Sequence, residues 1–395
     1  MTKAPVLLPT AEAATALVRE ARANGTLLRP VGGGTRPLFG MPRGLPVRVE
    51  AEAGTWLHHP EDLLVTVPAG MTVAEMARRL AVEGQALPLA APEGGTVGGL
   101  VAQGTGDPCL HGRNLPRDWV LGADVILGNG EPQRIGARVV KNVAGYDAVR
   151  LWCGSRGTLG LLLSVTFKVA ALPGAWFGRR ESGMTAEALS RALLPWQRIT
   201  LTWLRVLSGT VAAHDPDPWQ PAVSVPWGAA LSWTLLAGLE GTAPIIEAVA
   251  RGWPSDGQAP ESRIWHHRPL GPKWAEASPP RAAWILAVLP SRIPGLLEAL
   301  VDWCNARAAD GRRWAYSGDP ARGRLEVALW GDAEMPTPPI ERWVEASGGL
   351  WQVTAGSREG GHGPSRMDED LQLALKRACD PDDIMNPDTL PGCLA

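Results

Sequence analysis

The sequence KNVAGYDAVRLWCGSRGTLG spans residues 141–160, and the aliphatic run Leu161–Val169 follows it. It holds four glycines in twenty residues, with apolar side chains spaced between them. Glycine at this density usually marks turns with positive φ or backbone that touches a ligand. The β-branched and aliphatic run predicts a buried strand. The stretch therefore predicts a short helix, a glycine loop and a strand, in which the loop either contacts a flat ligand or only connects two packed elements.

Two more glycine clusters lie upstream. VGGGT at 31–35 follows a predicted strand, Thr26–Pro30, and its consecutive N–H groups suit an anion, although a flexible turn is the alternative. EGGTVGG at 93–99 contains Thr96, which predicts the N-cap of a short helix with free N–H groups. A dinucleotide fingerprint fails because Pro37 stands where its third glycine belongs, and no GK[ST] follows.

Local signals predict several elements around these clusters. Thr10 and Gly25 are suited to cap a helix over residues 11–24. LLVTVP at 63–68 predicts a strand, and Thr72 with Glu75 forms a capping box for the helix that follows. Trp119–Leu127 is strand-like and runs into Gly-Asn-Gly, a strong hairpin signal.

Composition changes near residue 172. Only three of the 18 tryptophans precede residue 175, so the change predicts a boundary between domains at 1–171 and 172–360, with a C-terminal helix and tail at 361–395 that return to the first domain. Apolar alternation predicts an antiparallel sheet in the second domain, with strands at Thr200–Leu207, Ala229–Leu236, Ala282–Leu289 and Leu325–Trp330.

Charge and cysteine content limit the functional classes. The formal net charge is −2, which gives no electrostatic case for nucleic acid. The five cysteines form no CxxC pair, so neither a disulfide framework nor a thiolate metal site is predicted. No signal peptide or membrane span is evident, and we expect a soluble, cytoplasmic protein that reaches the inner membrane only through partners.

Four motifs occur in a specific order: PVGGGT, VPAGMTVAEM, TVGG and GYD…LWCGSRGTLG. Together they resemble the FAD-linked oxidase family of the vanillyl-alcohol oxidase type, also called the PCMH fold. The resemblance implies an α+β architecture, in which a two-lobed FAD-binding domain carries an α+β cap domain with an antiparallel sheet. The segments RDWVLGADVILGNGE and VVKNVAGYDAVRLWCGSRGTLG resemble, more narrowly, the FAD-binding subunits of bacterial glycolate oxidases.

The resemblance also implies which residues bind FAD. The first loop would lie on the pyrophosphate, the second would support the phosphates and ribityl chain, and the third would contact the ribityl and isoalloxazine end. The terminal DP…NP resembles the family's closing motif and adds Asn386. The implied residues are Val31, Gly32, Gly33, Gly34, Thr35, Thr96, Gly98, Gly99, Gly145, Tyr146, Asp147, Gly157, Thr158, Leu159, Gly160 and Asn386.

The family resemblance implies a flavin subunit of a complex that oxidises glycolate to glyoxylate. Its partners would be a second FAD-linked subunit and an iron–sulfur subunit, and its substrate a small 2-hydroxy acid. FAD is expected to be noncovalent, because Thr35-Arg36 replace the family's usual histidine. The HxGDGNxH metal and substrate pattern of related dehydrogenases is missing from the sequence, so no metal site and no catalytic base are predicted. A stand-alone D-lactate or 2-hydroxy-acid dehydrogenase and a structural flavin subunit are the alternatives.

Overall fold

The computed structural model describes residues 4–35, 43–89, 94–104, 115–137, 148–184, 203–208, 225–226, 233–252, 261–265, 281–307, 313–319, 323–331, 338–355 and 369–387. The chain divides into two compact units. Of the described residues, the first unit contains those up to Leu172 together with 369–387, and the second contains those from Pro173 to Ala355.

Within the described residues the helices are α1 Ala11–Asn24, α2 Val73–Val82, α3 Val97–Gln103, α4 Val149–Trp152, α5 Ala243–Gly252, α6 Ile293–Asn305, α7 Ile340–Ala346 and α8 Glu369–Cys379. Three predicted caps are confirmed. The hydroxyl of Thr10 accepts a hydrogen bond from the Ala13 N–H, and Gly25 ends α1 in the left-handed conformation. The hydroxyl of Thr72 caps α2 by accepting from the Glu75 N–H at 3.2 Å.

The strands of the first unit are β1 Val6–Leu8, β2 Leu28–Pro30, β3 Leu45–Val49, β4 Leu57–His59, β5 Leu64–Pro68, β6 Gln85–Ala86, β7 Val120–Leu127, β8 Pro132–Gly136, β9 Gly160–Lys168 and β10 Ala170–Ala171. They form a parallel three-stranded sheet in the order β1-β3-β2 and an antiparallel five-stranded sheet in the order β4-β5-β9-β7-β8. Strands β6 and β10 pair separately. The predicted buried strand is thus β9, at the centre of the larger sheet.

Two apolar clusters hold the first unit together. One joins β5, β7 and β9 to α2 and α3, and Val65, Phe167 and Leu80 are completely buried in it. The other packs α1 against the three-stranded sheet and strand β9, through residues such as Val18 and Leu28. Burial of each such side chain contributes roughly 1.5–3 kcal/mol. The strands and helices next to the glycine clusters are therefore held in place by buried side chains.

The C-terminal segment 380–387, for which an extended tail is expected from the sequence, is instead tightly turned. Asp383 and Asn386 both have positive φ, at 49° and 46°. The carboxylate of Asp380 accepts hydrogen bonds from the N–H groups of Ile384 and Met385 and holds the turn closed. Met385 then pairs with Leu28 as an additional parallel bridge on β2.

The described part of the second unit is organised around one antiparallel sheet. Its strands are β11 Ala175–Met184, β12 Trp203–Ser208, β13 Val225–Pro226, β14 Trp233–Gly241, β15 Glu261–Trp265, β16 Ala282–Ala287, β17 Arg313–Asp319, β18 Arg324–Trp330 and β19 Leu350–Ala355. The order is β15-β11-β14-β12-β17-β18-β16-β19, with β13 paired to β17. The four predicted strands are confirmed as β12, β14, β16 and β18, although the boundaries of β12 and β14 shift by several residues.

Helices α6 and α7 cover one face of this sheet. Leu297 and Leu300 of α6 and Val344 of α7 pack with Trp284, Trp314 and neighbouring sheet residues in one buried cluster. None of the helices in the described ranges has both the length and the apolar character to cross a membrane.

Candidate functional site

A cavity of about 590 Å³ lies within the first unit, and all three glycine clusters contribute to its wall. The remaining wall comes from β2, β3, the end of α3, α4 and the C-terminal turn. This volume lies in the range of pockets that bind cofactors and other small ligands. The described lining contains many glycine and alanine residues, so backbone makes up much of the wall.

The first and second glycine clusters pack directly on each other. A Cβ atom on Gly33 would lie 1.9 Å from the carbonyl oxygen of Gly94, and one on Gly32 would lie 2.4 Å from Oγ1 of Thr96. No side chain fits at either position. The glycines are thus required by contact between the two loops, and this contact brings the backbone of both to the cavity.

The second cluster is held by helix α3. The Thr96 hydroxyl caps this helix by accepting a hydrogen bond from the Gly99 N–H at 3.2 Å, as the sequence predicts. The Gly98 N–H donates to the carbonyl of Ala69, which follows β5. A Cβ atom on Gly98 would lie 3.1 Å from that of Ala69, so the helix start lies closely against the end of the strand.

The third cluster docks on the end of the same helix. The N–H groups of Gly154 and Arg156 donate to the carbonyls of Val101 and Ala102, at 3.0 and 2.8 Å. Arg156 has φ 54° and Gly157 has φ 74°. Left-handed backbone is uncommon for a residue other than glycine and is found where surrounding contacts fix it. The turn thereby exposes the backbone of residues 155–157 to the cavity.

The C-terminal turn forms another part of the cavity wall. The side-chain amide of Asn386 donates to the Arg156 carbonyl at 2.8 Å, and its backbone N–H donates to the Leu28 carbonyl. The turn is fixed by Lys376, whose buried ammonium contacts Asp380, Asp383 and the Met385 carbonyl. A buried ion pair with additional hydrogen bonds holds one geometry, so Asn386 has a defined place on the wall.

Charge in the cavity is strongly biased. Three arginines, Arg29, Arg48 and Arg156, are among the described residues that line it, and none of those residues is acidic. Burial lowers the pKa of the Arg156 guanidinium to about 10, which leaves it protonated at neutral pH. Three buried atoms of the wall have no hydrogen-bond partner within the described structure: Nε of Arg29, Nε of Arg48 and Oγ of Ser155. Such groups are costly unless a ligand satisfies them.

Most of the predicted site residues meet at this cavity. Those on its wall are Val31, Gly32, Gly33, Gly34, Thr35, Thr96, Gly98, Gly99, Gly157, Gly160 and Asn386. Thr158 and Leu159 are buried behind the wall, where the Thr158 hydroxyl donates to the Ser155 carbonyl at 2.6 Å and fixes the turn. Gly145, Tyr146 and Asp147 lie outside the described residues.

Sequence reasoning missed the polar side chains of the wall. Arg29 and Arg48 lie on β2 and β3, and Ser155 and Arg156 lie in the third loop. A signal for Arg29 is present in hindsight: a charged residue stands inside the short apolar strand Leu28–Pro30, where a buried charge needs a partner. Arg48 carried no such signal because strand β3 is not predicted from local sequence.

A model of a known protein family matches the first part of the chain. Residues 3–136 match the family model described as "FAD binding domain". This match, together with the mixed helices and sheets, confirms the predicted PCMH-type α+β fold, and the chain therefore carries an FAD-binding domain. The glycine-lined and cationic cavity fits that assignment, because FAD has a flat ring system and a doubly charged diphosphate.

Individual proteins with similar sequences give a more specific comparison. The chain is 35% identical over 184 residues to the glycolate oxidase subunit GlcE of Escherichia coli K12, which is 46% of this chain and 52% of that protein. It is 34% identical over 115 residues to the glycolate oxidase subunit GlcD of Bacillus subtilis, covering 29% of this chain and 24% of GlcD. It also matches the mitochondrial D-lactate dehydrogenase [cytochrome] of Arabidopsis thaliana, at 33% identity over 29% of this chain and 20% of that one. The matches thus span about half of GlcE and about a quarter or less of the other two.

A solved structure extends the likeness of fold to nearly the whole chain. Alkyldihydroxyacetonephosphate synthase superposes with a TM-score of 0.63 and covers 98% of this chain and 77% of that one, at 17% sequence identity. At this identity the likeness concerns the fold alone. It indicates that the second unit, as well as the first, is similar in fold to that protein.

Proposed function

We propose that this chain is a flavin subunit of a complex that oxidises glycolate, and that the cavity of the first unit binds FAD noncovalently. The observation that carries the proposal is the meeting of three glycine clusters and Asn386 around one cationic cavity. When bound, FAD accepts two electrons as a hydride from a substrate carbon and can pass them onward. The relatives named as glycolate oxidase subunits support the choice of reaction.

Each part of the wall has a separate role in this proposal. The backbone of Gly32–Gly34 donates N–H groups to the diphosphate, because consecutive amides without side chains form an anion-binding nest. Thr96, Gly98 and Gly99 support the phosphates and the ribityl chain. Gly157 and Gly160 would lie at the isoalloxazine end, to which the family resemblance also assigns Gly145, Tyr146 and Asp147, and Asn386 fixes the third loop through Arg156.

Attachment of the cofactor is expected to be noncovalent. Thr35 and Arg36 follow the first glycine loop, and neither offers the imidazole that usually bonds to the flavin in relatives with covalent FAD. Denaturation of the protein should therefore release all of its flavin into the supernatant.

We assign the second unit to substrate or partner binding, as a cap domain over residues 172–360, with the segment 361–395 completing the first. The partners in the proposal are a second FAD-linked subunit and an iron–sulfur subunit. The relatives GlcE and GlcD are both named as subunits of glycolate oxidase, which supports an assembly of several subunits. Such a complex is cytoplasmic, with any contact to the inner membrane made through the partners. No catalytic base is assigned within this chain.

Flavin content of the purified full chain tests the proposal directly. We expect near-stoichiometric FAD with a flavin absorption spectrum, and copurification of the native protein with iron and a second flavin subunit. A colourless protein that does not bind added FAD would contradict the proposed function.

Assays on the same preparation distinguish the proposed function from two others. A stand-alone dehydrogenase for D-lactate or another 2-hydroxy acid, which the D-lactate dehydrogenase relative supports, predicts dye-linked turnover by the isolated chain. A structural flavin subunit predicts bound FAD without turnover, and loss of the whole complex when the chain is deleted. The proposed flavin subunit predicts turnover only after the partners are added.

A further inference from the structure

Two arginines line the cavity in addition to the glycine loops. Arg29 lies on β2 and Arg48 on β3, and both line the cavity. Arg29 is only 7% exposed, and its Nε is buried without a hydrogen-bond partner, as is Nε of Arg48. Buried arginines are normally paired with a carboxylate or with several acceptors. Within the described structure neither has an acidic partner, so the cost of burying Arg29 and the Nε of the partly exposed Arg48 is not offset inside the chain.

The sheet register places the two guanidinium groups on the same side. Arg29 is paired with Pro46 across the β2–β3 ladder, and Pro46 and Arg48 are two residues apart on β3. Because side chains alternate along a strand, these three positions share one face. Leu28 and Val47 occupy the opposite face and pack in the apolar cluster with α1. The strands that anchor the three-stranded sheet in the core therefore fix both arginines toward the cavity.

The position of the pair indicates its ligand. Only Pro30 and Val31 separate Arg29 from the first glycine loop. Two guanidinium groups beside consecutive backbone N–H groups suit an anion with two phosphate centres, because each planar guanidinium can donate two parallel hydrogen bonds to phosphate oxygens. The absence of acidic residues from the described lining leaves this end of the cavity with uncompensated positive charge.

We propose that Arg29 and Arg48 together bind the diphosphate of FAD, and that this pair sets the preference of the cavity for FAD over flavins that lack a diphosphate. The inference rests on the proposed function. It adds that the glycine loop gives shape at the diphosphate, whereas the two arginines give most of the charge recognition. The unbound protein is consequently less stable than it would be with an apolar residue at Arg29, the more deeply buried of the two.

The test compares ligand preference in the full chain and its variants. Dissociation constants for FAD and for riboflavin are measured by flavin fluorescence for the wild type, Arg29→Met, Arg48→Met and the double variant. Each single change should weaken FAD binding by about tenfold or more, the size expected for one charge-assisted contact. Riboflavin binding should stay within about twofold, because riboflavin carries no phosphate for the pair to bind. Arg134→Met is the matched control, since Arg134 is a half-exposed arginine of the same unit that pairs with Asp124.

Thermal unfolding of the unbound variants separates ligand recognition from a structural role. Arg29→Met should leave the Tm of the unbound protein unchanged or raise it, because a buried charge without a partner is removed. A structural arginine would instead lower the Tm and weaken FAD and riboflavin equally. Arg29→Lys keeps the charge but loses the planar fork, so it should restore FAD affinity only in part.

Inorganic pyrophosphate gives a test that begins with the wild type. It should displace FAD from the wild type at lower concentration than inorganic phosphate does, and this advantage should disappear in Arg48→Met. An unchanged ratio of FAD to riboflavin affinity in the double variant, with wild-type Tm, would overturn the inference while leaving the proposed function intact. A wild type that binds neither flavin contradicts the proposed function instead, and calorimetry with pyrophosphate then tests the arginine pair alone, with absence of binding overturning it.

Discussion

The two units differ in how they use side-chain volume. In the first unit, the segments that meet at the cavity carry glycine where a Cβ atom would collide with a neighbouring loop, as at Gly33. In the second unit, large aromatic residues such as Trp314 and Tyr316 fill the space between sheet and helices. Ring stacking joins these two residues, at 5.6 Å between centroids. Glycines leave room for a cavity in the first unit, whereas large aromatic side chains fill the core of the second.

Individual buried polar groups of the two units can be compared as well. In the second unit, Nε1 of Trp284 donates to Glu341 at 2.8 Å, so this indole buries its polar atom with a partner. In the first unit, the cavity wall holds Arg29, Arg48 and Ser155 with buried atoms that lack one. A satisfied group stabilises a fold, whereas an unsatisfied group at a cavity is available to a ligand.

Removing volume from the second unit should give the largest loss of stability. Trp314 is nearly fully buried, so Trp314→Ala should destabilise the second unit by about 3–5 kcal/mol. Burial raises the pKa of the Cys304 thiol in the same cluster to about 12, so Cys304 should resist alkylation at neutral pH in the wild type and react in the variant. Peptide mass spectrometry after alkylation measures this exposure.

The same variant tests the independence of the two units. FAD affinity of Trp314→Ala should stay within about twofold of the wild type at a temperature where the first unit is folded. A loss of FAD binding in parallel with Cys304 exposure would show that the folding of the two units is coupled.

Breaking the buried ion pair should have a comparable effect on the first unit. Lys376 and Asp380 are 2% and 0% exposed, so Lys376→Met leaves a buried carboxylate without its cation. Loss of one partner of such a pair costs about 3–5 kcal/mol. FAD affinity should fall as well, because the turn that carries Asn386 loses its anchor. Chemical denaturation and flavin fluorescence measure the two effects.

An exposed ion pair on the same turn provides the control for Lys376. Arg22 of α1 pairs with Asp382, and both side chains are nearly half exposed. Arg22→Met should change stability by no more than about 1 kcal/mol, since exposed pairs contribute little. Equal effects of the two substitutions would show that the ion pair at Lys376 does not anchor the turn.

Adding volume to the glycine loops should have a smaller effect on stability but a strong effect on the cavity. Gly33→Ala places a methyl group against the Gly94 carbonyl, and overpacking of this kind costs about 1–3 kcal/mol. We expect reduced FAD affinity, because the two loops must separate. Larger substitutions such as Gly33→Val would disrupt the same contact between loops as well as the approach of a ligand.

Gly34→Ala distinguishes crowding from backbone strain. Gly34 has φ 68° and no atom within 4 Å of a built Cβ, so only its left-handed conformation opposes alanine, at about 1–2 kcal/mol. FAD affinity measured by fluorescence should fall more in Gly33→Ala than in Gly34→Ala. The reverse order would indicate that strain, rather than contact between loops, determines these glycines.

The smallest effect is expected at the cap of α3. Thr96→Val keeps the shape of the side chain but removes the oxygen that accepts from the Gly99 N–H, which should destabilise the first unit by about 1 kcal/mol. Thermal unfolding measures this loss. A change below the error of the measurement would show that the contact of Gly32 with residue 96, rather than the cap, holds the helix start.

Local chemistry explains how much of the fold and site the sequence predicts. Caps at Thr10, Thr72 and Thr96 and the buried strand β9 depend on residues close in sequence, and their predictions are confirmed. Strand β3 was missed because its five residues include Pro46, which weakens the local strand signal, and the strand is formed by parallel pairing with β1 and β2. With β3 missing, Arg48 could not be placed beside Arg29, and the charge of the cavity stayed hidden.

In the second unit, too, the local sequence does not predict every strand. Strand β17 reads Arg-Trp-Ala-Tyr-Ser-Gly-Asp, which has weak strand propensity, yet β12, β13 and β18 all pair with it. Hydrogen bonds from both neighbours override local preference in such a position. The sequence therefore predicts an antiparallel sheet there without predicting all of its strands.

The return of the C-terminal turn to β2 has a consequence for synthesis on the ribosome. Leu28 donates its N–H to Ile384 and accepts from Asn386, so the edge of β2 is completed by residues made more than 350 positions later. Contacts so distant in sequence form slowly and only after the intervening chain has emerged. The second unit, inserted between the two parts of the first, is thus complete before the cavity wall is closed, and FAD should load after translation.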